Sequence, residues 1–171
     1  MSAVLLDVPL PSNYQLIVGS SNDRNFLLQF LQATYQELFP EQPHFHHLTT
    51  TLDNYFSWRS PLWWIQPLSS NTDEGTSINP VAGLWLGNAI DQVTGERYAH
   101  IFMLYVQPAH RRQGLASALL QTAQDWAQQR GDQQIGLQVF PHNQAALNLY
   151  QKNGFQVHAL MMLKTNLNPI D

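Results

Sequence analysis

One turn constrains this chain more than any other stretch: Val106-Gln107-Pro108-Ala109-His110-Arg111-Arg112-Gln113-Gly114-Leu115-Ala116. Upstream, Tyr98 to Val106 reads as a strand whose alternation puts Tyr98, His100, Phe102, Leu104 and Val106 on one face. Downstream, Leu115, Ala116, Leu119, Leu120, Ala123, Trp126 and Ala127 recur at helical spacing as far as Arg130-Gly131. Pro108 stops strand pairing because it has no N–H to donate. The period changes from two to 3.6 at this turn, so sheet and helix belong to one unit.

The flanking sequence extends that unit in both directions. Tyr14 to Val18 is a short strand, followed by a helix over Phe26 to Leu38 capped by Asn22 or Asp23. Phe39 to Leu48, broken by Pro40 and Pro43, reads as a loop, and a second helix is expected from about Thr51 to Trp58. Leu62 to Leu68 is the next strand, and Ser69 to Pro80 is a polar, flexible turn. Val81 to Leu86 and Tyr98 to Val106 form an antiparallel pair across Thr94-Gly95. After the long helix come a strand at Ile135 to Phe140, a helix at Asn143 to Lys152 and a final strand at Phe155 to Leu163. A meander followed by strand, helix, strand, helix, strand is an α+β fold in three α/β/α layers around a mixed sheet. No linker or repeat divides residues 1–171, which read as one domain.

The turn also carries chemistry. The first turns of a helix expose N–H groups without intrahelical partners, and the helix dipole adds about half a positive charge there. Gly114 admits an anion close to the backbone, and Arg111 and Arg112 add charge-assisted donors suited to phosphate. The arginine pair stands out because positive charge is scarce. Eight Lys and Arg oppose twelve Asp and Glu, only 12% of residues are charged, and 19 Gln and 12 Asn supply the polar surface. A net charge of −4 argues against a nucleic-acid binder. The absence of cysteine excludes disulfides, zinc-thiolate sites, iron–sulfur clusters and a cysteine nucleophile. No apolar run approaches 18 residues, and the N-terminus lacks a signal-peptide pattern, so a cytoplasmic protein with no membrane partner is expected. The turn lacks the GxxxxGK[ST] and GxGxxG phosphate motifs, leaving its local alternatives as an anion cradle or an ordinary strand-to-helix turn.

Arg111-Arg112-Gln113-Gly114-Leu115-Ala116 resembles the [Q/R]-x-x-G-x-[G/A] acyl-CoA motif of the GCN5-related N-acetyltransferase (GNAT) superfamily. Val106-Gln107-Pro108 resembles the Val-x-Pro approach to that motif. Further on, Asn143 through Phe155 resembles the second signature, N-x-x-A-x-x-x-Y-x-x-x-G-F. The resemblance is strongest over Val81 to Leu163. It implies an acyl-CoA N-acyltransferase fold with a mostly antiparallel sheet splayed between its fourth and fifth strands. It also implies acetyl-CoA as cosubstrate and direct acetyl transfer to a primary amine.

Residue roles follow from the resemblance. Backbone amides of Arg111, Arg112, Gln113, Gly114, Leu115 and Ala116 are expected to hold the pyrophosphate. Leu104, Tyr105 and Val106 are expected to pair with the pantetheine arm, and Asn143 to hold it as well as to cap a helix. Tyr150 is the expected donor to the departing thiolate. His100 stands fourteen positions before Gly114, where several relatives place a basic glutamate, and is the candidate base; Glu96 is the alternative. His44, His46 and His47 find no thiolate or paired carboxylate to complete a metal site, so no metal is expected. Tyr35, Glu37, Glu41, His44 and His46 are acceptor-side candidates, Glu37, Glu41 and Asp53 offer negative charge to a cationic acceptor, and Trp58, Trp63 and Trp64 line a pocket or pack. The acceptor is an amine-bearing small molecule or a peptide, and the chain a monomer or homodimer. The rival readings are a non-catalytic acyl-CoA sensor and a protein N-terminal or lysine acetyltransferase.

Overall fold

In the computed structural model, which describes residues 10–68 and 78–165, five strands form one sheet in the order β1-β2-β3-β4-β5. The strands are β1 (Tyr14–Val18), β2 (Leu62–Pro67), β3 (Ala82–Ile90), β4 (Arg97–Val106) and β5 (Ile135–Leu137). The first four pair antiparallel with their sequence neighbours, and β5 pairs parallel to β4. Helices α1 (Arg24–Leu38) and α2 (His47–Tyr55) cover one face. The other face carries α3 (Leu115–Gln129) and α4 (Gln144–Lys152), completing the expected three layers.

Each face has its own core. Leu27, Phe30 and Leu31 of α1 and Leu48 and Leu52 of α2 pack on Leu62, Trp64, Trp85, Met103 and Tyr105. Leu115, Leu119, Leu120 and Ala123 of α3 pack on Ile65, Leu84, Leu86, Ile101 and Val106. Trp64 is fully buried and is a packing residue, whereas Trp58 is 76% exposed beside Arg59.

Several local expectations are corrected. Asp23 holds the N-cap position of α1, as expected, but makes no side-chain cap there; its carboxylate instead accepts from Ser20 N–H at 2.8 Å, while the Ser20 hydroxyl accepts from Asn22 N–H. That capping box starts a short 3-10 turn leading into α1, so the helix begins before Phe26. Helix α2 begins at His47, earlier than Thr51, because Leu48 and Leu52 together supply its buried stripe. The strand at Ile135 ends at Leu137 instead of Phe140. Phe155 to Leu163 forms no strand; Val157, Leu160, Met161, Met162 and Leu163 are exposed along it. Alternating apolar residues make a strand only where an edge pairs with them, and that segment finds no such partner among the described residues. The polar turn at Ser69 to Pro80 falls largely on residues 69–77, outside the described residues, as do residues 1–9.

The most consequential correction lies inside β4. Trp85 pairs with Met103 and Leu86 with Ile101, so Phe102 is an extra residue, a β-bulge. Beyond it the alternation is out of phase with the first half of the strand. Leu104 and Val106 therefore join Ile101 against α3, while Met103 and Tyr105 face α1 and α2. His100 does not share a face with Leu104 and Val106, as unbroken alternation predicts. The bulge fits because Gly87 lies beneath it: a Cβ there would come within 2.3 Å of the Phe102 ring.

Candidate active site

Strands β4 and β5 pair only at Ala99–Ile101 against Ile135–Leu137. Arg97 fixes that lower end, donating to Asp132 Oδ1 from Nε at 2.9 Å and from Nη2 at 2.7 Å. Above it β5 ends, while β4 continues through its bulge to Val106. The strands part, and residues 102–106 present backbone groups to a cleft, with no β5 partner among the described residues. Unpaired edge groups of this kind complete their hydrogen bonds with an extended ligand.

The cleft has a wide and a narrow end. The wide end, about 460 Å³, is lined by Tyr105, Val106, His110, Arg111, Arg112 and the start of α3 from Gly114 to Ser117, with Asn143 and Lys152 opposite. Gly114, the N-cap of α3, has φ of 83° and supplies no side-chain cap, so first-turn amides remain available. Arg112, at φ 60°, is the one non-glycine residue with positive φ among the described residues. A side chain held in that region costs about 1–3 kcal/mol, and such strain clusters at ligand-binding turns. Together with Gly114 it curls the backbone into a concave turn of the kind whose N–H groups bind anions.

The turn's side chains do not all point into the cleft. The Gln113 amide oxygen accepts from Tyr14 Oη at 2.9 Å, and Tyr14 also bonds His110 Nδ1 at 2.8 Å; Gln113 does not line the cleft. Arg111 donates from Nε to the Val106 carbonyl at 2.9 Å and from Nη2 to both oxygens of Glu37, at 2.9 and 2.7 Å. Tyr105 Oη donates to the same carboxylate at 2.6 Å. Burial, with Glu37 adding to it, pushes the Tyr105 hydroxyl up to about 12.

The narrow end, about 110 Å³, runs between Ile101–Leu104 on one side and Leu137–Phe140, Asn143 and Tyr150 on the other, under Thr34, Tyr35 and Leu38 of α1. Asn143 N-caps α4, its Oδ1 accepting from Ala146 N–H at 3.2 Å, and it lines both ends of the cleft. Tyr150 projects from α4 against Phe155, ring centroids 5.6 Å apart. Burial pushes its hydroxyl up to about 12, so it keeps its proton throughout the neutral range.

His100 lies deeper in the sheet, paired with Gly87 on one side and Gly136 on the other. It does not line either end of the cleft; its ring meets Phe102 edge-on at 5.0 Å, and Phe102 lines the narrow end. Its Nδ1 is buried without a hydrogen-bond partner among the described residues. Burial holds the imidazole below its ordinary 6.5, favouring the neutral, proton-accepting form. Glu96 stands in the β3–β4 turn, its carbonyl accepting from Asp91 N–H. His44 and His46 stack at 5.1 Å, but no metal-binding group of three or more ligands occurs among the described residues.

Sequence reasoning missed Lys152, Leu38 and Ala146. Lys152 was legible, because Ala145, Leu149 and Lys152 share a helical stripe with the cleft-lining Ala146. Leu38 was not, since nothing in sequence places the end of α1 over the parting of β4 and β5.

The sequence profile of the acetyltransferase (GNAT) family matches residues 27–155. Over 80 residues, 47% of the chain, it is 35% identical to the uncharacterized N-acetyltransferase YdgE of Bacillus subtilis. The chain spans about half the length of that relative, the match covering 51% of it. Among solved structures, a ribosomal-protein-alanine N-acetyltransferase from Brucella melitensis superimposes with a TM-score of 0.65 at 16% identity, covering 90% of this chain and 99% of that one. AAC(6')-Iy, solved with a CoA-containing bisubstrate analog, gives 0.61 at 15% identity, with 91% and 100% covered. At those identities the superpositions speak for the fold. No helix among the described residues is long and apolar enough to cross a membrane.

Proposed function

The chain belongs to the acetyltransferase (GNAT) family, and from that premise we propose that it moves an acetyl group from acetyl-CoA to a primary amine in one direct step. The observation that carries this reading is the parting of β4 and β5, with uncapped helix amides at one end and a protonated tyrosine at the other. The amides after Arg111, with Arg112 and Lys152 nearby, suit a pyrophosphate. The open edge of β4 at Leu104 to Val106 suits the amides of a pantetheine arm, and Asn143 faces that path.

Three groups of this chain serve the transfer. The unpaired backbone at the Phe102 bulge is placed to polarise the thioester carbonyl, which gains negative charge as the amine attacks. Tyr150 gives its proton, or a hydrogen bond, to the sulfur as the carbon–sulfur bond breaks. The proton lost by the amine passes through water to His100, whose neutral ring is favoured by burial. Orientation in the narrow end supplies much of the remaining acceleration. No covalent acyl-enzyme is needed.

The residues lining the narrow end are aliphatic, aromatic, Thr34, Gln138 and Asn143, and none carries a formal charge at neutral pH. That lining favours an acceptor that sets its amine beside an apolar or aromatic group over a polycationic one. Turnover of acetyl-CoA with a panel of arylalkylamines, polyamines and peptide N-termini tests the reading, with Tyr150→Phe alongside. Binding of CoA without turnover of any amine would instead favour the sensor.

A further inference from the structure

Glu37 is a carboxylate inside a cleft whose basic side chains, Arg111, Arg112 and Lys152, suit an anion. A negative charge there weakens phosphate binding, yet Glu37 is held firmly. Tyr105 donates to it at 2.6 Å, and Arg111 grips both its oxygens. Arg111 is thus committed to α1 and to the Val106 carbonyl, although its position in the turn is that of a phosphate donor. The same last turn of α1 also reaches the opposite rim: His142 Nε2 lies 3.2 Å from the Leu38 carbonyl, and Phe39 meets Phe140 at 4.8 Å.

We propose that Glu37 competes with the phosphates of CoA for Arg111 and so sets how fast spent CoA leaves. The inference rests on the acyl-CoA reading. In the free protein Arg111 belongs to Glu37. With CoA in the cleft, the guanidinium is drawn to the pyrophosphate, and Glu37 recaptures it as the product departs. The pair is 43% and 41% exposed at its side chains, so the competition is modest and easily reversed.

The test is the affinity and dissociation rate of CoA, by calorimetry and stopped-flow displacement, for wild type, Glu37→Gln, Arg111→Gln and the double variant. Glu37→Gln is expected to tighten CoA about two- to fivefold, the range of an exposed ion pair, chiefly through slower dissociation. In the Arg111→Gln background that gain should vanish. Unchanged or weaker binding by Glu37→Gln overturns the proposal, because Glu37 would then merely orient Arg111 or the helix. A gain that persists without Arg111 also overturns it, since the effect would be general charge repulsion. Failure of the wild type to bind CoA overturns the acyl-CoA reading itself, and this inference with it.

Discussion

At the scale of single residues, Tyr150 and His100 are pushed by burial in opposite senses, and both shifts favour the uncharged form. Tyr150→Phe removes the donor while keeping the ring's packing on Phe155. We expect kcat to fall about a hundredfold, with CoA affinity unchanged in equilibrium binding. Because Tyr150 holds its proton to about 12, it contributes no alkaline limb in the working range. His100 contributes an acid limb instead. Its folded value lies below 6.5, so kcat/KM should hold down to that pH and decline beneath it, and His100→Gln should abolish the limb. Stability follows the same sign. Below about 6.5 the unfolded chain takes up a proton that the folded His100 refuses, so stability is lost as pH falls toward the folded value. The denaturant midpoint of wild type should fall relative to that of His100→Gln as pH drops through that range.

At the scale of elements, the bulge in β4 decides more than any single side chain. It turns Leu104 and Val106 toward α3, leaves Phe102 without a partner across β3, and sets His100 behind the Phe102 ring. Phe102 is hemmed in by Trp85 at 4.7 Å, Tyr55 at 5.6 Å and His100, so it cannot swing freely. Gly87→Ala should therefore cost about 1–3 kcal/mol in denaturant unfolding, as an overpacked site does, and should lower turnover by shifting the bulge. Wild-type stability and activity in that variant would show that the ring relaxes at no cost. The Arg111 turn was legible in sequence, since Pro108, the arginine pair and Gly114 act through local backbone chemistry. The bulge was not, because it depends on how ten residues of β4 meet nine of β3.

At the scale of the whole molecule, two cores flank one sheet; Phe155 packs on one of them, while Val157 and Leu160 to Leu163 stand exposed. Leu119 is fully buried and Leu160 is 82% exposed, although both lie in apolar stretches. Leu119→Ala is expected to cost about 2–5 kcal/mol, while Leu160→Lys should stay within about 0.5 kcal/mol of wild type. A large loss on Leu160→Lys would mean that the segment is buried in solution after all. The order of elements as far as α4, the strand-to-helix turn, the motif spacing and the three layers were determined by sequence, because periodicity, capping and turn chemistry act between near neighbours. Tertiary structure alone decided the phase of β4 beyond Phe102, the capture of Arg111 by Glu37 from 74 residues away, and the fate of Phe155 to Leu163. Each of these turns on which distant surface meets which. A local pattern states only what a segment can pair with, and the packed fold determines whether that partner is there.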